Sequence, residues 1–236
     1  MDRDQKLALI RRLFYRRAVP DLWFAELQRH ITSGSVVLEI GSGSGKGKQN
    51  FLYPDVKKIV GIDLDERVLA NPNLDEAHHI SAYDIADVVG AQRFDVIYSQ
   101  MVAEHIDDGR RFIAEQLKAL DDNGVLIHST VSKYYWTSLI NDFVPEAVKF
   151  WLIRTLGSGR TEADVFPTHY QLNSARQIKE ICEDLDVDFS IVRQDEPPGY
   201  LRRSLILMVI YTAIHKPLQL IFPALRPSLI FIVSGK

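Results

Sequence analysis

The run Val36-Val37-Leu38-Glu39-Ile40, followed at once by Gly41-Ser42-Gly43-Ser44-Gly45, constrains this chain more than any other stretch. Apolar, β-branched residues in a short run read as a buried strand. Glycines at its end let the backbone turn sharply into a helix expected from about Gly47. A strand–turn–helix unit of this kind aims backbone N–H groups at one point, where they hold anionic and nucleotide-like ligands.

The rest of the chain repeats the theme. Strands are expected over 58–62 (ending at Asp63), 79–82, 94–98, 125–129, 187–192 and 229–233. Helices are expected over 4–17, from Asp21 to about 29, over 108–120, from Asn173 or Ser174 to about 185, and over 203–215. Asp122-Asn123-Gly124 reads as the turn before the fifth strand. Residues 134–159 are helical and aromatic-rich, and a loop follows to 168. Strands alternating with helices imply a parallel sheet covered on both faces. The expected organisation is a single domain over 1–236, with residues 1–31 as a helical cap and residues 132–175 as an insertion on the substrate side.

Spacing separates the ligands that the glycine turn could take. A phosphate-cradling P-loop needs two glycines five positions apart, then Lys and Ser or Thr. Here Gly41 stands four positions before Gly45, and Lys46 is followed by Gly47, which has no hydroxyl for Mg²⁺. A dinucleotide fingerprint needs a third glycine where Lys46 stands, and a side chain there opposes close helix–strand packing. A third class has an acidic residue two positions before the first glycine. Glu39 fills that place, and its carboxylate can hold the ammonium of an amino-acid ligand. Asp63, at the end of the second strand, can accept from ribose hydroxyls.

Val37 to Gly45, followed by Val60-Gly61-Ile62-Asp63, resembles the first two motifs of the class I S-adenosylmethionine (SAM)-dependent methyltransferases. Tyr83-Asp84-Ile85 resembles the third, Phe94 to Gln100 the fourth, and Glu104-His105-Ile106 the Glu-His pair of the small-molecule branch (type 11/23). Leu120 to Leu126 is similar to the family's turn into strand five, where Pro-Gly-Gly is commoner. The resemblance covers about residues 34–131. It implies a Rossmann-like, doubly wound α/β sheet of seven strands in the order 3-2-1-4-5-7-6, with strand seven antiparallel. It implies SAM as cofactor, held by Glu39, Gly41, Ser42, Gly43, Gly45, Asp63, Leu64 and Gln100. Asp84 would meet the adenine amino group, and Ile85 would pack on the ring.

Methyl transfer from a sulfonium is an in-line displacement, so a protein mainly aligns the acceptor and excludes water. A base is needed only where the acceptor must lose a proton. His105, after the fourth strand, is the first candidate. His169 and Tyr170 follow, in a loop resembling the family's substrate-side segment. That segment often reads Tyr-Tyr-Arg, and His169 and Gln171 depart from it. His128 reads as structural. Tyr134, Tyr135 and Trp136 either line the acceptor pocket or are core. No metal site is expected, because His78 and His79 are adjacent and would point to opposite faces of a strand.

A net charge of −3 gives no basic excess for general nucleic-acid binding. Protein or RNA methylation, and a non-catalytic binding protein on the same fold, remain the alternative functions. The single cysteine, Cys182, leaves no internal disulfide. No N-terminal apolar signal is expected, and a cytoplasmic location follows. Charge is uneven, since residues 201–236 hold five Lys/Arg and no Asp/Glu. Leu205 to Ile214 is apolar throughout, His215-Lys216-Pro217 breaks it, and Leu218 to Leu225 is apolar again. That pattern fits a buried helix by default, and otherwise a monotopic contact with the inner membrane face, beside a small-molecule or lipid-linked acceptor.

Overall fold

In the computed structural model, β1 (Val36–Ile40) is an interior strand of a seven-stranded sheet. The structure describes residues 2–15, 21–45, 56–85, 87, 90–136, 138, 167–195, 197, 201 and 204–235. The expected helix after Gly47, and most of the expected segment 134–159, lie outside these residues. The other strands are β2 (Lys58–Asp63), β3 (Glu76–His79), β4 (Phe94–Gln100), β5 (Leu120–Val131), β6 (Asp188–Gln194) and β7 (Ser228–Ser234). Their spatial order is β3-β2-β1-β4-β5-β7-β6, as the family resemblance implies. β1 to β5 pair in parallel, and β7 runs antiparallel to both β5 and β6.

Alternation along the strands sends side chains to two cores. Leu38, Ile40, Val60, Ile62, Ile97, Leu126 and Phe231 pack with Phe112 and Ile113 of α3 (Gly109–Ala119) and Ile178 and Cys182 of α4 (Ala175–Asp184). On the other face, Val37, Val96, Tyr98, Ile127 and Ile230 meet Trp23 and Leu27 of α2 (Asp21–His30). Central strands are covered on both faces, which is why they read as continuous apolar runs. Asp108 caps α3 by accepting from the Arg111 N–H at 2.9 Å, and Ser174 caps α4 by accepting from the Gln177 N–H at 3.3 Å.

A third cluster joins α1 (Arg3–Phe14) to α5 (Leu205–Ile221) through Leu7, Tyr15, Leu201, Met208 and Tyr211.

Several elements differ from the sequence expectation. β3 begins at Glu76, three residues early, because backbone pairing of Val60 through Asp63 with Glu76 through His79 defines it. Ile80 to Ala82 instead form the wall of a cavity. The Asp122-Asn123-Gly124 turn lies within β5, as an excursion between the pairs Phe94↔Leu120 and Val96↔Val125. α5 does not break at His215–Pro217 but runs on to Ile221, with Pro217 inside it. Nor is α5 a buried helix, since most of its large aliphatic side chains are exposed. Leu13 and Phe14 of α1, apolar residues near the end of an expected helix, are also about half exposed.

Candidate functional site

The glycine turn is held from three sides. Gly41 and Ser42 donate their N–H groups to the Ile62 carbonyl (2.8 and 3.2 Å), so the turn rests on the end of β2. The Gly43 N–H donates to Asp63 Oδ2 at 2.7 Å, and the Asp65 N–H donates to Oδ1 at 2.8 Å. Asn71 reaches back to donate to the carbonyls of Ser42 and Gly43, and Asn73 donates to that of Gly45. Gly41 (φ +77°) and Gly45 (φ +71°) are left-handed, a conformation that disfavours any Cβ. A Cβ on Gly41 would lie 2.4 Å from Val102 Cγ2, and one on Gly45 would lie 2.2 Å from Asn71 Oδ1.

Beside this turn, at the carboxyl ends of β1, β2 and β4, lies a cavity of about 520 Å³. That size suits one small-molecule cofactor with its acceptor, since such sites measure roughly 300–1,000 Å³. The strand order reverses between β1 and β4, the position where open α/β sheets bind ligands. Gly41, Asp63, Leu64, Gln100, His105 and His169 all line the cavity. Asp63 thus steadies the turn while its carboxylate faces the ligand space, with further lone pairs to offer.

The remaining sequence-predicted residues stand outside the cavity wall. Glu39 is half-buried on β1, in register with Gly61 and Tyr98. Ser42 is fully buried, and its hydroxyl donates to the Glu39 carbonyl at 2.8 Å. Gly43 and Gly45 shape the turn. Asp84 is exposed, 3.9 Å from the Arg111 guanidinium. Ile85 is fully buried in the core beneath the site. Tyr170 is half-buried, and its carbonyl accepts from Gln177 Nε2 at 2.9 Å.

The end of the cavity lined by His105 and His169 is organised by Glu104. Its backbone carbonyl accepts from the N–H groups of His169 (2.8 Å) and Tyr170 (3.3 Å). Its buried carboxylate accepts from Thr130 Oγ1 at 3.0 Å, and Asn173 Nδ2 donates to that hydroxyl at 2.7 Å. Loop 167–173 is thereby tied both to the end of β5 and to the short helix Ala103–His105. A carbonyl can only accept, so the 2.7 Å contact with Pro167 O assigns the proton to His105 Nδ1. Nε2 is then the basic nitrogen of the neutral ring.

Met101 (φ +56°) and Tyr170 (φ +53°) are left-handed without being glycine, and both flank this end of the site. Non-glycine residues of this kind cluster at functional sites. The third such residue, Asp186, follows the end of α4, an ordinary place for one.

Two further groups flank the cavity. The Tyr83 hydroxyl donates to Asp107 Oδ1 at 2.5 Å and accepts from the Asp108 N–H at 3.0 Å. Arg111 sits 4.7 Å above its ring. Burial, and then the Asp107 carboxylate, push the Tyr83 phenol up to about 12, so it stays a donor. His128 is fully buried between Phe112 and Phe231, with Nδ1 2.8 Å from Ser99 Oγ. Burial pushes its imidazole down to about 3, so the ring is neutral and structural, as expected.

Sequence reasoning missed Asn71, Asn73, Thr130, Asn173 and the Tyr83 latch. The Asn-Pro-Asn run at 71–73 was the one local signal for the turn clamp, since asparagine beside proline marks a turn whose amides can bond nearby backbone.

A strand-reversal cavity beside a Gly-x-Gly-x-Gly turn defines a nucleotide-cofactor protein of Rossmann-like fold. Residues 11–193 match the family described as "Methyltransferase domain". The chain belongs to this family, the class I SAM-dependent methyltransferases, in its type 11/23 branch. It is 30% identical over 150 residues to a probable S-adenosylmethionine-dependent methyltransferase of Mycolicibacterium smegmatis, covering 56% of each chain. It is 29% identical over 125 residues to the mitochondrial ubiquinone biosynthesis O-methyltransferase of Candida albicans, covering 49% of this chain and 38% of that one. The match thus spans about half or less of each curated relative. Among solved structures, the fold resembles that of Haemonchus contortus phosphoethanolamine N-methyltransferase 2 in complex with phosphomonomethylethanolamine and S-adenosylhomocysteine. The TM-score is 0.55 at 16% identity, covering 98% of this chain and 57% of that one.

Proposed function

We propose that this chain moves the methyl group of SAM to the oxygen of a small-molecule or lipid-linked acceptor. The observation that carries this reading is the shared cavity. Asp63 and the Gly41 turn form one end, and His105, with its basic nitrogen fixed as Nε2, lines the same space.

The residues present fit the cofactor. A Cβ on Gly41 or Gly45 would strike Val102 or Asn71, so glycine lets the turn keep its shape beside the cavity. Asp63 would accept from ribose hydroxyls, Gln100 and Leu64 line the same space, and Ile62, Ile80 and Ala82 would give an apolar wall for the base. Glu39 and Asp84 stand outside the cavity wall, and would meet the amino-acid end and the adenine edge only from its rim. SAM, when bound, supplies the methyl and the sulfonium leaving group.

The protein's part is to orient the acceptor and take up its proton. His105 Nε2 accepts the proton of an acceptor hydroxyl while Nδ1–H remains on the Pro167 carbonyl. His169 and Tyr170, fixed through the Glu104 carbonyl, position the acceptor from the facing side. Oxygen is favoured because its methylation requires proton loss from a weakly acidic hydroxyl, which a histidine base assists. Residues 1–31 act as a helical cap and residues 132–175 as the substrate-side insertion of one domain. A cytoplasmic protein meeting the inner membrane face is the location that suits a lipid-linked acceptor.

Incubation of cell-extract fractions with radiolabelled SAM tests this. Label is expected in an alkali-stable small molecule or lipid. Label confined to protein or RNA would overturn the acceptor class, and no transfer to any fraction would overturn the catalytic reading.

A further inference from the structure

α5 is built inside out. A surface helix ordinarily buries its aliphatic stripe and shows its polar one. Here the stripe turned to the protein holds one aliphatic side chain, Met208, among Tyr211, Thr212 and Gln219, all buried, with His215 and Lys216 half-buried beside them. The outward face holds Ile206, Ile210, Ile214, Leu220 and Ile221, each at least half exposed. α1 buries Leu7 against α5 in the ordinary way, but its last turns extend the exposed apolar face. Arg11 is drawn in, with a buried Nε that has no partner among the described residues, while Leu13 and Phe14 face out.

The exposure is concentrated. Of the fifteen large exposed hydrophobic residues described, three lie on α1 and nine on α5 and its cap Phe222. A groove of about 530 Å³ runs between the two helices, with Ile10, Leu13, Phe14, Val209 and Leu220 among its walls.

We infer that the α1–α5 face lies in the surface of an anionic lipid bilayer. Three observations favour lipid over protein. The outward residues of α5 are aliphatic, whereas protein interfaces are rich in Tyr, Trp, Met and Arg. α1, beside the aliphatic face of α5, carries Arg3, Lys6, Arg11 and Arg12 against Asp4 alone, and this basic excess complements anionic headgroups. No described helix is long and apolar enough to cross a membrane, and α5, about 26 Å long at 1.5 Å per residue, lies along the interface instead.

The placement also serves the site. β7 starts beside Val131, at the edge of the sheet where the cavity opens. The chain between α5 and β7 is held there, since Ser132 donates to Ala224 O at 2.9 Å and to Pro227 O through its N–H at 2.9 Å. α5 therefore ends at the carboxyl end of β5, on the side of the sheet where the cavity lies, and docking brings that side to the bilayer. This inference deepens the lipid-linked reading of the acceptor and rests on it for its purpose. Its test needs no acceptor.

Flotation with phosphatidylcholine vesicles, with and without phosphatidylglycerol, tests the docking while SAM binding is followed by calorimetry. The native chain is expected to float with the phosphatidylglycerol vesicles, less so in high salt. The triple variant Ile206→Ser, Ile214→Ser, Leu220→Ser is expected to partition on the order of a hundredfold less. It should keep its SAM affinity, and Leu69→Ser, exposed elsewhere, should float like the native chain. Ile210→Glu alone provides a second, milder test of the same face. A native chain that floats with neither vesicle, or a triple variant that floats unchanged, overturns the inference. So does a native dimer in light scattering that the triple variant separates, because the face then belongs to a second copy. Loss of SAM binding by the native chain would instead sink the cofactor reading and leave the flotation result standing.

Discussion

Acid should destabilise this protein through His128. The ring is fully buried, and its pKa falls from the ordinary 6.5 to about 3 because no water solvates the cation there. Below pH 6.5 the unfolded chain takes up a proton that the folded chain refuses. The stability present above 6.5 is therefore lost progressively as pH falls toward 3. The loss is about 1.4 kcal/mol per pH unit. Between about pH 7.5 and about pH 5 the fully developed span is roughly 1.5 units, so about 2 kcal/mol disappears. Other groups titrate too, so the quantity to measure is a difference. Urea denaturation at the two pH values, on the native chain and on His128→Phe, isolates it. Phenylalanine keeps an aromatic ring between Phe112 and Phe231 and leaves Ser99 without its partner, a cost that does not depend on pH. The native chain should lose about 2 kcal/mol more than the variant on acidification. Parallel losses in the two proteins would refute the assignment of the proton to His128.

Gly41→Ala is expected to weaken SAM binding by about 5- to 150-fold in calorimetry. A left-handed alanine with its Cβ 2.4 Å from Val102 costs on the order of 1–3 kcal/mol where the turn must hold its shape. Asn71→Ala should cost about 1–3 kcal/mol of stability in urea denaturation, because the Ser42 and Gly43 carbonyls lose their donor. His105→Asn should lower turnover by roughly 10²–10⁴ while the SAM dissociation constant stays put. A fall in affinity equal to the fall in turnover would make His105 a cofactor contact instead.

The sheet was legible because its central strands are covered on both faces. Apart from Glu39 and His128, the residues Val36 to Ile40 and Val125 to Ser129 are all apolar or small. β3 was misplaced because it is an edge strand, and Glu76-Ala77-His78-His79 carries no apolar pattern to read. The end of α5 was missed because proline ordinarily stops a helix, yet the Phe222 N–H still closes the last turn on the Leu218 carbonyl at 2.7 Å. Half of the site was legible for a related reason. Gly41, Asp63 and Gln100 stand at strand ends, so finding the strands finds them. Asn71 holds a turn 28 to 29 residues away, Thr130 reaches Glu104 across 26 residues and Asn173 reaches Thr130 across 43. Contacts at such separations leave no local spacing to recognise.

The two left-handed residues explain why the end of the cavity lined by His105 and His169 has this form. The Met101 N–H donates to the Ser129 carbonyl at 2.8 Å, continuing the β4–β5 pairing one step past Gln100. Its positive φ then turns the chain out of the sheet, and Glu104 and His105 arrive over the cavity rather than in another strand. Tyr170 makes the matching turn on the opposite segment, and its N–H is bound by the same Glu104 carbonyl that holds His169. Each turn costs about 1–2 kcal/mol for a residue with a Cβ, and the hydrogen bonds on either side offset it. Both backbones are therefore fixed by bonds to β5 and Glu104, and neither depends on the identity of an acceptor. Selectivity is left to the few side chains that project from them into the cavity. Exchanging His169 should change which acceptor is methylated with little effect on folding, read by competing acceptors in a labelled-SAM assay and by urea denaturation, whereas exchanging Glu104 should loosen both turns together.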